Sequence, residues 1–345
     1  MKLFRTERST PPAGLKAGRI CTPDGVVLRH AVVRPRKGPV RGTLVLLPGR
    51  ADFIERYYET MEELLARGYA VATLDWRGQG LSSRLTRNRL KGHVDSFRRY
   101  ETDLETFMRQ VVLPECPPPL FALAHSMGAH VLLHAGYRHI WFTRAMVLCP
   151  MIEIRRRRLP RFVWRIAAAV ASLAGLGRMF VPGQRRRPLK EEDFPGNPLT
   201  GDHDRFLREV EMLREHPELG VAGPTMGWLN AALASCDRLQ RHAEARDVPL
   251  WPVLAVCAGD DRLVDTEATR NFARDVAGMA CIVIHGARHE LLMERDVYRE
   301  QVWAAFDSFI SGEEVPVPDR GSAEADGRDV SRSLSGARPA EAASA

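Results

Sequence analysis

A serine hydroxyl is a poor nucleophile near neutral pH. It becomes effective only with a base in contact, an orienter for that base, and donors for the developing oxyanion. The stretch Leu120–Ala129, "LFALAHSMGA", sets one serine where such help can be assembled. An apolar run ends at Ala124, and a helical pattern begins after Ser126. A sharp turn from buried strand to helix lifts Oγ above a sheet and aims the next backbone N–H at the developing charge. Small residues must flank such a serine because the two backbones crowd there. Here they are Ala124 and Gly128 of Ala-His-Ser-Met-Gly. The plainer account of the same letters is a serine N-cap on a buried helix.

With a nucleophile turn of this kind the partners follow in the order acid, then histidine, each on a loop after a later strand. "AGDDRLVD" offers Asp260, Asp261 and Asp265, and "IHGARHE" offers His285 and His289. His289 lies beyond the strand end, where a loop can carry it to the serine. His285 sits nearer the strand body and reads as a structural or core histidine. Asp265 stands where it would cap the helix of "TEATRNFARDVAG". The residues alone leave both Asp260 and Asp261 open as the acid. A second oxyanion donor belongs on the loop after "TLVLLPG". Pro48 has no N–H to give, so the backbone N–H of Arg50 is the candidate, paired with that of Met127.

These groups need a sheet to carry them. "GVVLRHAVVRP" (25–35) alternates loosely, as in strands of an N-terminal hairpin or meander. Short continuous apolar runs at 42–49, 69–75, 120–124 and 144–150 read as buried strands, and the strand pattern returns within 251–261 and 280–290. Helical spacing fills 54–67, 96–113 (N-cap at Asp95 or Ser96), 126–137 and 296–310. Strand and helix alternate, which predicts an α/β fold: a mostly parallel, doubly wound sheet with helices on both faces. Residues 150–248 lack strand signals and then the strand pattern resumes. The expected organisation is therefore a core in two parts, 1–149 and 249–311, with a helical cap or lid insertion at 150–248. The last segment, 312–345, is rich in Ala, Ser, Gly, Pro and charge and is expected to be disordered.

The chain has 345 residues, 45% hydrophobic and 27% charged, with a net charge of +7. No apolar run approaches the roughly 18 residues of a membrane span, and the N-terminus lacks the apolar core of a secretory signal. A cytoplasmic location is expected. Six cysteines stand singly, several inside apolar runs, and read as reduced core residues. No Cys or His pair has metal-ligand spacing. The charge is uneven: Arg155 to Lys190 holds eleven Lys/Arg and no Asp/Glu. Such a segment predicts an anionic partner, a membrane surface or a nucleic acid, and no nucleic-acid-reading module accompanies it.

"PGRADFIERY", "DWRGQGLSSR", "AHSMGAHVLL", "AGDDRLVD" and "GARHELLMERD" together resemble the α/β-hydrolase superfamily. Within it they are similar to the bacterial lysophospholipase L2 and monoacylglycerol lipase group and its serine-aminopeptidase-like relatives, over roughly residues 25–310. The resemblance implies Ser126 as nucleophile, Asp261 as acid, His289 as base, and the backbone of Arg50 and Met127 as oxyanion hole. It implies acyl transfer with neither metal nor organic cofactor, on a lipid or small ester substrate, with lysophospholipid first. The alternatives are a monoacylglycerol lipase, a small-ester carboxylesterase or acyltransferase, and a non-catalytic binding protein on the same fold. There are two departures. Monoacylglycerol lipases usually show His-Gly where this chain has Pro48-Gly49, and Ala124 replaces the first elbow glycine. In this fold an insertion after the sixth strand is usually a lid. Residues Phe162 to Val181 have helical composition, Trp164 suits an interface, and basic clusters flank both ends, as in a helix lying on an anionic membrane. A lid helix packed on its own domain, its arginines merely solvated, is the alternative.

Overall fold

The computed structural model describes residues 2–155 and 161–311. The expected tail, 312–345, and Arg156–Arg158 of the basic segment lie outside the described residues. In chain order the elements begin with β1 (Lys16–Cys21), β2 (Val27–Val33), β3 (Gly42–Leu47), α1 (Tyr58–Ala66) and β4 (Tyr69–Leu74). Next come α2 (Arg98–Phe107), a π-helical turn (Met108–Val112), α3 (Leu113–Glu115), β5 (Leu120–His125), α4 (Ser126–Ala135) and β6 (Arg144–Leu148). The stretch 150–248 holds α5 (Arg161–Leu173), α6 (His203–Glu215) and α7 (Met226–Glu244). The chain then re-enters the sheet with β7 (Val253–Ala258), α8 (Thr266–Asp275), β8 (Met279–Ile284) and α9 (Asp296–Ser311).

The eight strands form one sheet in the order β1-β2-β4-β3-β5-β6-β7-β8. β1 and β2 are antiparallel to their neighbours, and every pairing from β4 to β8 is parallel. Helices cover a parallel sheet on both faces, so its inner strands carry unbroken apolar runs. β3, β4, β5 and β7 are buried at every position. The edge strand β8 alternates instead, as a half-covered strand must.

α4 is buried along its whole length and packs beside α2 over the sheet. α7 also reaches the core: Trp228, Ala231, Ala232, Cys236 and Leu239 join the main apolar cluster. α5 rests on α7 through Ala168, Met226 and Val181, with Trp164 packed beside them. α6 closes a smaller cluster of Phe4, Phe53, Met212, Leu213 and Leu219.

The structure differs from local expectation in five places. β1 is an edge strand of mixed residues, "KAGRIC", without the apolar pattern that marks the inner strands. The N-cap of α2 is Phe97, not Asp95 or Ser96; the Ser96 hydroxyl accepts only a long bond from the Arg98 N–H at 3.3 Å. The helix expected over 162–181 stops at Leu173, because Gly175 takes a φ of +75° that ends the helical path. Trp164 faces α7 rather than an interface. All six cysteines are free, but Cys21 is exposed and Cys281 half-buried rather than in the core.

Candidate active site

Ser126 is the first residue of α4, directly after β5, and its φ of +49° is left-handed. That conformation costs a non-glycine residue of order 1–3 kcal/mol and persists only where packing holds it. The packing is tight: a Cβ on Gly128 would lie 2.4 Å from the Pro48 carbonyl oxygen and 2.5 Å from that of Leu47. Only hydrogen fits between α4 and the end of β3. As the second residue of the helix, Met127 has an N–H without an intrahelical acceptor.

The structure brings Ser126, His289 and Asp261 together. Ser126 Oγ lies 3.0 Å from His289 Nε2, and His289 Nδ1 lies 2.6 Å from Asp261 Oδ2. The other Asp261 oxygen accepts from the Leu263 and Val264 N–H groups at 2.8 and 3.0 Å. Both oxygens are thus engaged and Asp261 is fully buried. Burial alone would raise its carboxyl, but the charge and hydrogen bond of His289 and the two amides outweigh that and hold it below the ordinary value. Burial pulls the His289 imidazole down, and the Asp261 charge and hydrogen bond more than reverse it, so its pKa lies above the ordinary 6.5. With its proton on Nδ1 toward Asp261, His289 presents Nε2 as acceptor for the serine hydroxyl.

Asp260 is exposed and takes no part. Asp265 caps α8, accepting from the N–H groups of Glu267 and Ala268. His285, expected as a core histidine, is exposed, because the end of edge strand β8 faces solvent.

The loop after β3 is pinned on both sides of Arg50. The Gly49 N–H donates to Asp52 Oδ2 at 2.7 Å, the Ala51 N–H donates to the Gln79 side chain, and Trp76 Nε1 holds the Pro48 carbonyl at 2.8 Å. The Arg50 N–H between them has no acceptor among the described residues. Gln79 also touches the Met127 sulfur at 3.9 Å, linking this loop to the elbow.

Residues not singled out in the sequence brace this arrangement. Asp52 accepts from Tyr57 Oη at 2.7 Å and pairs with Arg56, four residues on. Arg56 also meets Glu290, next to His289, and Glu209 of α6 at 3.0 Å. Three carboxylates thus share one buried guanidinium. Burial pushes Glu209 up to about 8 despite Arg56. The "DFIER" spacing carried a signal for the Asp52–Arg56 pair; nothing local pointed to Glu209. Cys149, after β6, sets its thiol near Asp261, and burial raises it far above its ordinary value. Donor atoms of Cys149, Asp261 and His289 lie within 4.8 Å of one another. A thiol held protonated is a poor metal ligand, since the thiolate is the ligating form.

A cavity of about 450 Å³ lies between α7 and α8, lined by Gln240, Glu244, Asn271 and Phe272 among others, away from Ser126. A much smaller space of about 10 Å³ lies against Arg56, Tyr57, His125 and Glu290. None of the larger cavity's residues joins the hydrogen bonds around Ser126.

The profile of the family described as serine aminopeptidase, S33, matches residues 38–296. The chain belongs to this family of α/β-hydrolases. Lysophospholipase L2 of Escherichia coli is 31% identical over 290 residues, covering 80% of this chain and 82% of the relative. A monoacylglycerol lipase of Mycolicibacterium smegmatis is 26% identical, covering 78% and 88%. Among solved structures, a soluble variant of the Saccharomyces cerevisiae monoglyceride lipase with a substrate analogue superposes with a TM-score of 0.66. It is 20% identical, over 90% of this chain and 99% of its own, a likeness of fold. Family and relatives together make this α/β-hydrolase a carboxylic ester hydrolase. Among its described residues, no helix is long and apolar enough to cross a membrane.

Proposed function

We propose that this hydrolase releases fatty acid from a single-chain lipid, a lysophospholipid ahead of a monoacylglycerol, through Ser126, His289 and Asp261. The observation that carries this reading is the unbroken hydrogen-bond chain from Ser126 Oγ through the imidazole to Asp261. Oγ attacks the ester carbonyl carbon as Nε2 of His289 takes its proton. Asp261 holds the ring and stabilises its cationic form. The N–H groups of Arg50 and Met127 receive the oxyanion. His289 then protonates the leaving glycerol oxygen, leaving an acyl group on Ser126. Water, deprotonated by the same nitrogen, completes hydrolysis. The relatives named lysophospholipase and monoacylglycerol lipase support the lipid substrate.

The insertion supports the same reading and favours contact with an anionic membrane surface. Phe162, Ile166, Val170 and Leu173 recur along one face of α5 and are 63%, 60%, 57% and 90% exposed. Arg178 and Arg185–Arg187 follow in the same basic segment. An amphipathic helix with an apolar face and basic flanks lies in the headgroup region of anionic lipid. Free thiols fit the reducing, cytoplasmic side. The deciding experiment is fatty-acid release from lysophosphatidylethanolamine and from monoacylglycerol, with Ser126→Ala as control. Release lost in that variant supports the reading. No release from either lipid, by protein that a fluorophosphonate still labels, moves the substrate to small soluble esters.

A further inference from the structure

Arginines are buried throughout this protein, and most face carboxylates. Arg29 meets Glu55 and Asp75, Arg77 meets Asp24 and Asp103, and Arg56 meets three acids. Arg50 differs. Among the described residues it forms no ion pair. One terminal nitrogen donates to the Ala222 carbonyl, and the guanidinium lies 5.4 Å from the Trp228 ring centre. Nε is buried without a partner, as are those of Arg56, Arg84 and Arg238. Burial lowers its pKa to about 10, and Arg185 of the basic segment adds positive field. Arg84, the other arginine in this region without an acid, has both terminal nitrogens bonded to carbonyls, those of Gly78, Gly80, Glu218 and Leu219 among them. Arg50 retains unused donors. A desolvated cation left unpaired is costly and marks a place where an anion belongs.

The place is defined by the chain itself. The Arg50 N–H is the donor assigned to the oxyanion. The same number of covalent bonds separates that nitrogen from the terminal guanidinium nitrogens as separates carbonyl oxygen from phosphorus in a 1-acyl lysophospholipid. The side chain therefore has the reach to meet the headgroup phosphate of a lipid whose ester oxygen sits on its own N–H. Its planar fork suits two phosphate oxygens. A monoacylglycerol presents a neutral hydroxyl there. We infer that the Arg50 side chain binds the headgroup phosphate of the substrate and thereby selects phospholipid over neutral single-chain lipid. This inference rests on the function proposed above and goes further by assigning the headgroup chemistry to one side chain.

The test compares kcat/KM on lysophosphatidylethanolamine and on monoacylglycerol of the same acyl chain, at fixed ionic strength, for wild type, Arg50→Lys and Arg50→Met. The readout is the ratio of the two values, because the backbone N–H that both substrates use cancels in it. The ratio is expected to fall roughly tenfold to a hundredfold in Arg50→Met, the usual worth of charged hydrogen bonds, and less in Arg50→Lys. Fluorophosphonate labelling of Ser126 shows that each variant has an assembled site, and Arg50→Lys carries the test if the methionine variant does not fold. An unchanged ratio, with both activities falling together, overturns the inference and leaves the proposed function standing. Inorganic phosphate that inhibits monoacylglycerol hydrolysis in wild type but not in Arg50→Met, beside an unchanged ratio, would assign the site to a free anion instead. Loss of the proposed function has a different signature: neither lipid is cleaved by wild type.

Discussion

Replacing Asp261 by Asn tests the site most sharply, because Asp260 beside it is a built-in control. The native carboxylate accepts on both oxygens: His289 Nδ1 on Oδ2, and the Leu263 and Val264 amides on Oδ1. An asparagine can keep its oxygen on the two amides. Its NH2 then faces His289 and turns Nδ1 into an acceptor, which moves the ring proton to Nε2, the atom that must take the Ser126 proton. The charge is lost as well. A carboxylate and an imidazolium with centres about 4 Å apart interact by about 4 kcal/mol at an effective dielectric of 20. At about 1.4 kcal/mol per tenfold, that is roughly a 10³-fold loss in rate. The misplaced proton adds to it, and about 10⁴-fold in kcat is the expected total, as for the equivalent change in a serine protease triad. Initial rates on a chromogenic short-chain ester, with circular dichroism to verify folding, measure it. Asp260→Asn, at an exposed side chain, should change kcat by less than about twofold. A folded Asp261→Asn enzyme within tenfold of wild type, or a larger loss at position 260, would refute the assignment.

The rate should also report the imidazole. Catalysis needs neutral His289, and Asp261 raises its pKa, so the acid limb of kcat/KM should lie above the ordinary value of 6.5 and shift to lower pH in Asp261→Asn; a pH–rate profile of each enzyme checks this. Glu209 is raised to about 8, above its unfolded value of 4.5. A raised carboxyl contributes stability fully at low pH and loses it as pH rises through about 8. Glu209→Gln mimics the protonated form, so its melting temperature should match wild type near pH 4, exceed it by pH 6 and exceed it most at pH 9; equal curves across that range would count against the buried proton. On α5, Val170→Asp and Leu173→Asp should each weaken sedimentation with anionic vesicles about tenfold or more, since burying such side chains contributes about 1.5–3 kcal/mol. Binding that persists in the double variant would remove the helix from the membrane contact.

Ser126 and His289 were legible because their settings are local: an apolar run, a small-residue turn, and a loop beyond a strand end. The choice between Asp260 and Asp261 is a question of side-chain direction. In the structure the Leu263 and Val264 amides turn the Asp261 carboxylate inward, while Asp260 stays in water. The clamp of Asp52, Arg56, Glu209 and Glu290 was hidden for another reason. Its members come from the loop after β3, from α6 and from the loop after β8, and only tertiary packing brings them to one guanidinium. His285 was misjudged because apolar neighbours in sequence say nothing of which strand is the edge. Among the described residues β8 pairs only with β7, and its end lies in water.

The insertion shows the same limit from the other side. A helical repeat places Phe162, Ile166, Val170 and Leu173 along one face of α5, and Trp164, Ala168 and Ala171 along another. Both faces are apolar, so composition identifies a helix that is greasy nearly all round without saying which side the protein covers. α7 decides it: Trp164, Ala168 and Ala171 pack toward Met226 and Leu229, while the larger stripe stays in solvent. Arg165 is drawn to Asp237 of α7 and so belongs to the packed side of the lid. The exposed stripe is the costly part of the arrangement. Four large apolar side chains along one helix face exceed what scattered surface residues explain, and such a face marks a surface meant to be covered. Under the reading proposed above, anionic lipid would cover this stripe and meet the exposed Arg178 and Arg186 together, while Arg185 and Arg187 already pair with Asp193.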